Sequence, residues 1–361
     1  MIEQSIAAIK PLDSEAMDQC QLRLDNLTKP LGSLAGLEQL ARKLAGITGL
    51  ARPKELKKSI ILMAADHGVS AEGVSAYPQE VTPQMVMNFC RGGAAINVFA
   101  RHAAAELVLV DIGVAASMPK MPGLRREKVA FGTANMAREA AMTRQQALAA
   151  IETGIKIARE ELAKGAKVIG LGEMGIGNTT AATAIISCYS DRPLTGLTGP
   201  GTGITGAAMA NKVRVIRQAL TVNRPEPDDP LDVLAKVGGL EIAGLVGVVL
   251  GAAAGGAVVV LDGVITAAAA LLAVKMAPQA KDYLIGSHLS CEPAHTAALQ
   301  IIGVPAYLRL DMRLGEGTGA ALGMRLIDAS LHVLNDMKTF GEAQVAVAQD
   351  GPGALRQRTD V

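Results

Sequence analysis

Short apolar runs alternate along the chain with longer stretches of helical periodicity. Each run ends in glycine or an acidic residue, and a helical pattern follows it. Such an alternation is typical of an α/β fold, with a doubly wound parallel sheet and helices on both faces. The runs predict strands over residues 59–68, 106–113, 166–175, 257–263 and 306–317. The periodic stretches predict helices over residues 83–104, 143–164, 179–190, 207–220, 265–276 and 293–302.

Acidic residues stand where the predicted strands end. Parallel strands end at the same edge of a sheet, and ligands of doubly wound folds bind beyond that edge. The pattern therefore predicts a functional rim that carries Asp66, Asp111, Glu173, Asp262 and Glu316.

Composition narrows the class of protein. Half of the 361 residues are apolar, the net charge is +1 and only 2% are aromatic, which argues against nucleic acid as a partner. Residues 242–261 carry no charge and are long enough to cross a bilayer. They are nevertheless rich in Ala and Gly and are interrupted at Gly255-Gly256, so we predict a soluble protein without a membrane partner.

Four cysteines without paired spacing indicate a reduced protein, and the N-terminus shows no signal-peptide pattern, so we expect a cytoplasmic location.

The stretch GEMGIGNTT (172–180) follows a predicted strand and precedes a predicted helix. Backbone N–H groups at a helix N-terminus bind phosphate, and Asn178 stands where a P-loop has lysine, which favours a single phosphate over a nucleoside triphosphate. The alternative is a plain tight turn in which Thr179 caps the helix. The candidate phosphate ligands are Gly175, Gly177, Asn178, Thr179 and Thr180.

The stretch RLGEGTGA (313–320) places Glu316 between glycines. Glycines let a substrate approach the backbone closely, and a carboxylate there is suited to general-base catalysis. The alternative is a helix-capping acid.

Other motifs are weaker. GTGITG (201–206) matches a dinucleotide-binding pattern, but no strand precedes it. His288, Cys291 and His295 have the spacing of metal ligands, but no fourth ligand is evident, and a polar cleft wall with Ser287 and Ser290 is favoured. Asp66 and His67 are interpreted as a pair that satisfy each other at a strand end.

Several stretches, taken in their order, carry a family resemblance. They are KPLGSL, AADHGVSAEGVSAYPQEVT, GEMGIGNTT, NKV, LDGVITAAAAL, SHLS and RLGEGTGAAL. Residues 29–329 resemble the nicotinate-nucleotide–dimethylbenzimidazole phosphoribosyltransferase family, whose members act in cobalamin biosynthesis. The resemblance implies a Rossmann-like sheet domain, residues 51–330, and a small helical domain from both chain ends, residues 1–50 and 331–361. It also implies a homodimer.

The family reaction moves phosphoribose from nicotinate mononucleotide to a benzimidazole nitrogen, without a metal or cofactor. The resemblance implies that Glu316 is the general base and that Glu173 lies near the ribose or the acceptor. It adds Lys212 and Ser290 to the phosphate site, and it lines the acceptor pocket with Tyr77, Met85 and Met174. The two methionines alternatively serve only as core. A non-catalytic protein that binds a nucleotide or heterocycle is the alternative function.

Overall fold

A computed structural model describes residues 1–361 and contains one six-stranded sheet in which every neighbouring pair is parallel. The spatial order is β3-β2-β1-β4-β5-β6, the order of a Rossmann fold. The order reverses between β1 and β4, which opens a crevice at their carboxyl ends. The strands are β1 (Lys58–Ala65), β2 (Ala105–Gly113), β3 (Leu124–Arg126), β4 (Val168–Met174), β5 (Val258–Val260) and β6 (Leu284–Ile285).

Helices cover both faces of this sheet, which is why β1 is buried along its whole length. The α-helices are α1 (Ile2–Ala8), α2 (Ser14–Asn26), α3 (Gly36–Thr48), α4 (Val81–Cys90), α5 (Ala95–His102), α6 (Arg144–Ala163), α7 (Asn178–Ser187), α8 (Leu194–Leu197), α9 (Gly206–Asn223), α10 (Pro230–Val237), α11 (Leu240–Ala254), α12 (Val264–Met276), α13 (Pro293–Ile302), α14 (Thr318–Asp336), α15 (Phe340–Ala343) and α16 (Gly351–Arg356).

The uncharged segment 242–261 forms most of α11 and all of β5, and both are buried in the main core. Its glycines serve helix packing: a Cβ at Gly247 would overlap the Ile151 carbonyl of α6, and one at Gly154 would overlap the Gly244 carbonyl. The small residues thus let α6 and α11 approach at backbone contact. No helix of the chain combines the length and the apolar character needed to span a bilayer.

The α/β prediction is confirmed in its main elements. Strands β1, β2, β4 and β5 fall within or beside the predicted runs, and five of the predicted helices are present with ends shifted by a few residues. The predicted helix 83–104 is wrong in one respect, because it is two helices separated by a turn in which Gly92 has φ 77°.

The predicted strand 306–317 is wrong. The segment is an extended loop with a single isolated bridge, between His288 and Leu308. Asp311 (φ 53°) and Gly315 (φ 86°) take left-handed conformations that a strand cannot accommodate. The edge of the sheet is formed instead by β6, a strand of two residues that the sequence pattern did not indicate.

The two chain ends are joined to each other. Leu27 and Thr339 form an antiparallel bridge, and Gln357 donates to the Lys29 carbonyl. A second small core links α2 and α3 to the end of α14, which runs unbroken across the boundary predicted after residue 330. The division into two domains stays a prediction. The second core consists of Cys20, Leu24, Leu27, Ala41, Ala45 and Leu334.

Candidate active site

A cavity of about 510 Å³ lies in the crevice at the carboxyl ends of β1 and β4. Most of the predicted site residues line it, whereas Gly177, Thr180 and Lys212 lie behind its wall. The topology thus brings together side chains that are far apart in sequence. The predicted residues that line the cavity are Tyr77, Met85, Glu173, Met174, Gly175, Asn178, Thr179, Ser290 and Glu316.

The phosphate-loop candidate is the turn between β4 and α7. Gly177 is the N-cap of α7 with φ 96°, and no side chain caps this helix. The interpretation in which Thr179 caps the helix is therefore wrong, and no side chain accepts the N–H groups at the positive end of the α7 dipole, although Glu173 bonds to the side chain of Asn178. Thr180 is fully buried, and its hydroxyl has no hydrogen-bond partner.

Lys212 stands behind this turn. Its Nζ donates to Thr179 Oγ1 at 2.9 Å and to the Gly199 carbonyl at 3.1 Å, and the side chain is fully buried. Burial lowers the pKa of Lys212 to about 8, while the nearby Glu292 carboxylate acts in the opposite direction. The lysine therefore places a positive charge one hydroxyl group away from the cavity.

Glu316 is held in a strained but well-supported backbone conformation. Its φ is 64°, between Gly315 at 86° and Gly317 at 91°. Oε2 accepts the Ile96 N–H at 3.1 Å, from the start of α5. Burial raises the pKa of Glu316, the Asp262 charge raises it further, and the Ile96 hydrogen bond opposes both. A raised pKa makes this carboxylate a stronger base.

Asp262 is the acid that caps α14, the helix that follows Glu316 in the chain. Its two carboxylate oxygens accept the N–H groups of Gly317 at 2.9 Å and Gly319 at 2.7 Å, at the start of α14. Glu316 therefore does not cap α14, but its Oε2 makes a capping contact with the Ile96 N–H in the first turn of α5. The carboxylate of Asp262 anchors the loop that presents Glu316.

Glu173 is almost fully buried and accepts a hydrogen bond from Asn178 Nδ2. Burial first, and then the charges of Asp262 and Glu241, raise the pKa of Glu173 to about 8. At neutral pH this side chain is therefore mainly the neutral acid. Glu316 remains the carboxylate available to accept a proton.

The other acids of the predicted rim do not line the cavity. Asp66 accepts the Ala115 N–H at 2.7 Å, and Asp111 is paired with Lys128 at 2.9 Å. The predicted Asp66–His67 pair is wrong in its partner, because His67 Nε2 lies 2.6 Å from Glu241 Oε1.

The His67–Glu241 pair packs against Gly175 of the candidate phosphate-binding turn. Both side chains are buried, and a Cβ at Gly175 would lie 3.3 Å from each of them and overlap the Ala65 carbonyl. Only glycine fits above the pair at this position.

The acceptor-pocket candidates line the same cavity as the phosphate turn. Tyr77 is 55% exposed, whereas Met85 and Met174 are half-buried and also pack against the main core. The methionines thus have both roles that the sequence left open, because they line the cavity and contact core residues.

Sequence reasoning missed three polar side chains of the cavity wall. Glu292 Oε1 accepts the Gly201 N–H at 2.7 Å, Arg313 Nη1 donates to the Gly201 carbonyl at 3.1 Å, and Thr202 Oγ1 accepts the Ala76 N–H at 2.8 Å. All three hold the glycine-rich loop that contains the GTGITG motif, and no strand precedes it. Arg313 is the first residue of the RLGEGTGA stretch, but the sequence does not indicate that its side chain contacts the loop of Gly201.

The His288–Cys291–His295 set does not form a metal site. The two imidazole rings are buried 6.1 Å apart, whereas Cys291 is exposed, and no group of three or more His, Cys, Asp or Glu side chains is placed to hold a metal. Burial lowers the pKa of His295 to about 3, and its Nδ1 accepts the Ser290 N–H. His288 and Ser290 line the cavity, as the polar-wall interpretation predicts, but Ser287 does not.

Comparisons with known proteins show which family of sequences and which solved structures the chain resembles. A family model described as phosphoribosyltransferase matches residues 9–345. A protein of Chloroflexus aggregans named nicotinate-nucleotide–dimethylbenzimidazole phosphoribosyltransferase is 53% identical over 346 residues, which cover 96% of this chain and 98% of that protein. A protein of Geobacter sulfurreducens with the same name is also 53% identical, with the same coverage. The crystal structure of CobT from Thermus thermophilus matches with a TM-score of 0.88 and 45% identity, over 92% of this chain and 99% of that one.

Proposed function

Because the chain belongs to the nicotinate-nucleotide–dimethylbenzimidazole phosphoribosyltransferase family, we propose that it transfers phosphoribose from nicotinate mononucleotide to dimethylbenzimidazole or a related base. The products are nicotinate and α-ribazole 5′-phosphate, an intermediate of cobalamin biosynthesis. The observation that carries the proposal is the placement of Glu316, a buried carboxylate with a raised pKa that faces a cavity at the switch point of the sheet.

The phosphate of the donor binds at the N-terminus of α7. Helices α4, α7 and α12 begin at residues that line the cavity, and the start of α14, next to it, is already neutralised by Asp262. Among the uncapped helix starts, that of α7 follows the glycine-rich turn GEMGIGNTT, so we take its N–H groups and dipole as the anion site. Gly175, Asn178 and Thr179 contact the phosphate directly, and Ser290 supplies a hydroxyl from the opposite wall. Lys212 supplies positive charge through Thr179.

The two heterocycles place opposite demands on the protein. The leaving nicotinate is bonded to ribose as a pyridinium, so its nitrogen departs neutral and needs no acid. The attacking benzimidazole carries an N–H and must lose that proton as the new bond forms. Glu316 takes the proton, and its negative charge also stabilises the positive charge that develops on the anomeric carbon. Inversion from the β to the α linkage fits one direct displacement.

Glu173 supports this arrangement as a neutral acid. Asp262 and Glu173 lie next to the loop that carries Glu316. The raised pKa of Glu173 removes one negative charge from this group of three acids at neutral pH. A protonated carboxyl can also donate a hydrogen bond to a ribose oxygen, which an ionised one cannot do.

The acceptor pocket favours flat heteroaromatic bases of more than one shape. Tyr77 offers an aromatic face, and the thioethers of Met85 and Met174 adapt to different ring outlines. We therefore expect benzimidazole and adenine to be used beside dimethylbenzimidazole. Competition between these bases for a limiting amount of donor, with the products separated by chromatography, measures the preference.

We also propose a homodimer in the cytoplasm. The family resemblance suggests the dimer, and Tyr77 and Leu314 leave apolar surface exposed at the cavity mouth. The four free cysteines are consistent with a reducing compartment. Light scattering after size-exclusion chromatography measures the oligomeric state.

One assay tests the transferase against a non-catalytic binding protein. Purified protein is mixed with nicotinate mononucleotide and dimethylbenzimidazole, and free nicotinate and the ribosylated base are quantified over time. A transferase releases nicotinate and ribosylated base in equal amounts and only when both substrates are present. Binding of either substrate without release would contradict the proposal.

A further inference from the structure

The walls of the active-site cavity are unbalanced in charge. Glu292 and Glu316 line it in addition to Glu173, which holds its proton at neutral pH, whereas Arg313 is the one Lys or Arg side chain among the lining residues. The proposed donor carries a phosphate and a ring carboxylate, and the leaving nicotinate is itself an anion. An acidic cavity repels such a ligand unless a cation faces each negative group.

Arg313 has hydrogen-bonding capacity to spare. Of the five N–H donors on a guanidinium, its Nη1–H bonds to the Gly201 carbonyl, and no carboxylate lies within ion-pair distance. The remaining donors keep the planar fork that binds a carboxylate through two parallel hydrogen bonds. Lys212, in contrast, is enclosed behind the wall and serves the phosphate end through Thr179.

The position of Arg313 relates it to the pyridine ring. It lies three residues before Glu316, on the loop that Asp262 anchors, and its Nη1 bonds to the Gly201 carbonyl of a second loop. Glu316 must lie beside the nitrogen that attacks the anomeric carbon. The leaving ring is bonded to the opposite face of that carbon, so its carboxylate lies within the same cavity, where Arg313 is the one lining Lys or Arg side chain.

We propose that Arg313 binds the carboxylate of the pyridine ring and thereby selects nicotinate donors over nicotinamide donors. This inference rests on the proposed function, because it assigns a residue to one group of the proposed donor. The contact also holds the leaving ring in place as the bond to ribose breaks, since the carboxylate keeps its charge throughout the reaction.

The test compares two donors that differ only at this group. kcat/KM is measured with nicotinate mononucleotide and with nicotinamide mononucleotide for the wild type, Arg313→Gln and Arg313→Lys. A charged hydrogen-bonded pair predicts that Arg313→Gln lowers kcat/KM by roughly 10- to 100-fold with the acid donor and by less than about threefold with the amide donor. Arg313→Lys keeps the charge but loses the fork, so it falls between them. Arg309→Gln is the matched control, because Arg309 is exposed on the same loop and does not line the cavity.

Equal losses with both donors would overturn the proposal, because they would indicate a contact to the phosphate or a role in holding the Gly201 loop. No loss with either donor would overturn it as well. Calorimetric titration with nicotinate and with nicotinamide, alone, keeps this test separate from that of the proposed function. The proposed function fails while the assignment of Arg313 stands if three results coincide. The wild type binds nicotinate more tightly than nicotinamide, Arg313→Gln loses that preference, and neither protein turns over a donor. If the wild type turns donor over but Arg313→Gln binds nicotinate as tightly as before, the assignment fails alone.

Discussion

Replacement of Glu316 by glutamine isolates its role as a base. Glutamine keeps an oxygen that can accept the Ile96 N–H, so the loop should hold its conformation. The variant cannot take the proton of the attacking base. General-base catalysis contributes about 10²- to 10⁴-fold, so we expect kcat to fall by that factor, which corresponds to about 3–5 kcal/mol in activation free energy. The KM for nicotinate mononucleotide should change little, because the proposed phosphate contacts come from α7 and not from Glu316.

Steady-state release of nicotinate measures kcat and KM. Thermal unfolding, recorded in parallel, shows whether the variant is as stable as the wild type. The melting temperature should stay constant or rise, since the substitution removes a buried charge that interacts unfavourably with Asp262. In the wild type, kcat should rise with pH through the pKa of Glu316, above the usual range of a glutamate, and this limb should be absent from the variant. A well-folded variant with kcat near that of the wild type, or one that keeps the acidic limb, would refute the assignment of Glu316 as base.

Three further substitutions test other parts of the site. Glu173→Gln should keep most activity at pH 7, because Glu173 is already protonated there. Its raised pKa in the folded state also means that the wild type loses stability, on the order of a few kcal/mol, as the pH rises from about 4.5 to about 8, and the variant should not show this loss in melting curves. Gly199→Ala should raise the KM for the donor several-fold without a matching loss of kcat, because the new methyl group would overlap the Glu292 carboxylate and displace the loop that Lys212 holds; an unchanged KM would count against this loop as part of the phosphate site. Glu241→Ala leaves His67 buried without its partner and should lower the free energy of unfolding by about 3–5 kcal/mol in urea titrations.

The parts of the fold that the sequence predicted are those with strong local signals. Strands β1, β2 and β4 are long and buried, and their apolar runs end at recognisable acids or glycines. Strands β3 and β6 have three and two residues, too short to produce a pattern. The segment 306–317 has apolar residues like a strand, but its left-handed residues Asp311 and Glu316 turn the chain away from the sheet. A single sequence does not reveal such a backbone choice at a non-glycine residue.

The candidate site was predictable to the extent that motifs carry it. Glu316, Glu173 and the GEMGIGNTT turn were found because glycine-rich loops at strand ends are recognisable. The partners of the buried acids were not predictable, since they come from distant parts of the chain: Asp262 bonds to Gly317, and His67 to Glu241. Arg313 belongs to a motif that the sequence identified, but only the fold shows that its side chain bonds to the Gly201 carbonyl.

The partners of the acids also explain why carboxylates and an anion site can share one cavity. Asp262 is consumed by the N–H groups at the start of α14, which removes that helix as a competing phosphate site. Glu173 avoids repulsion by holding its proton at neutral pH. Of these three acids, Glu316 is then the one that lines the cavity and is neither used to cap α14 nor bonded to Asn178. Its charge lies where the reacting carbon becomes positive, while the phosphate is held at α7 with Lys212 behind it. Different elements, the start of α7 and the loop of Glu316, thus supply the anion site and the proposed base within one cavity.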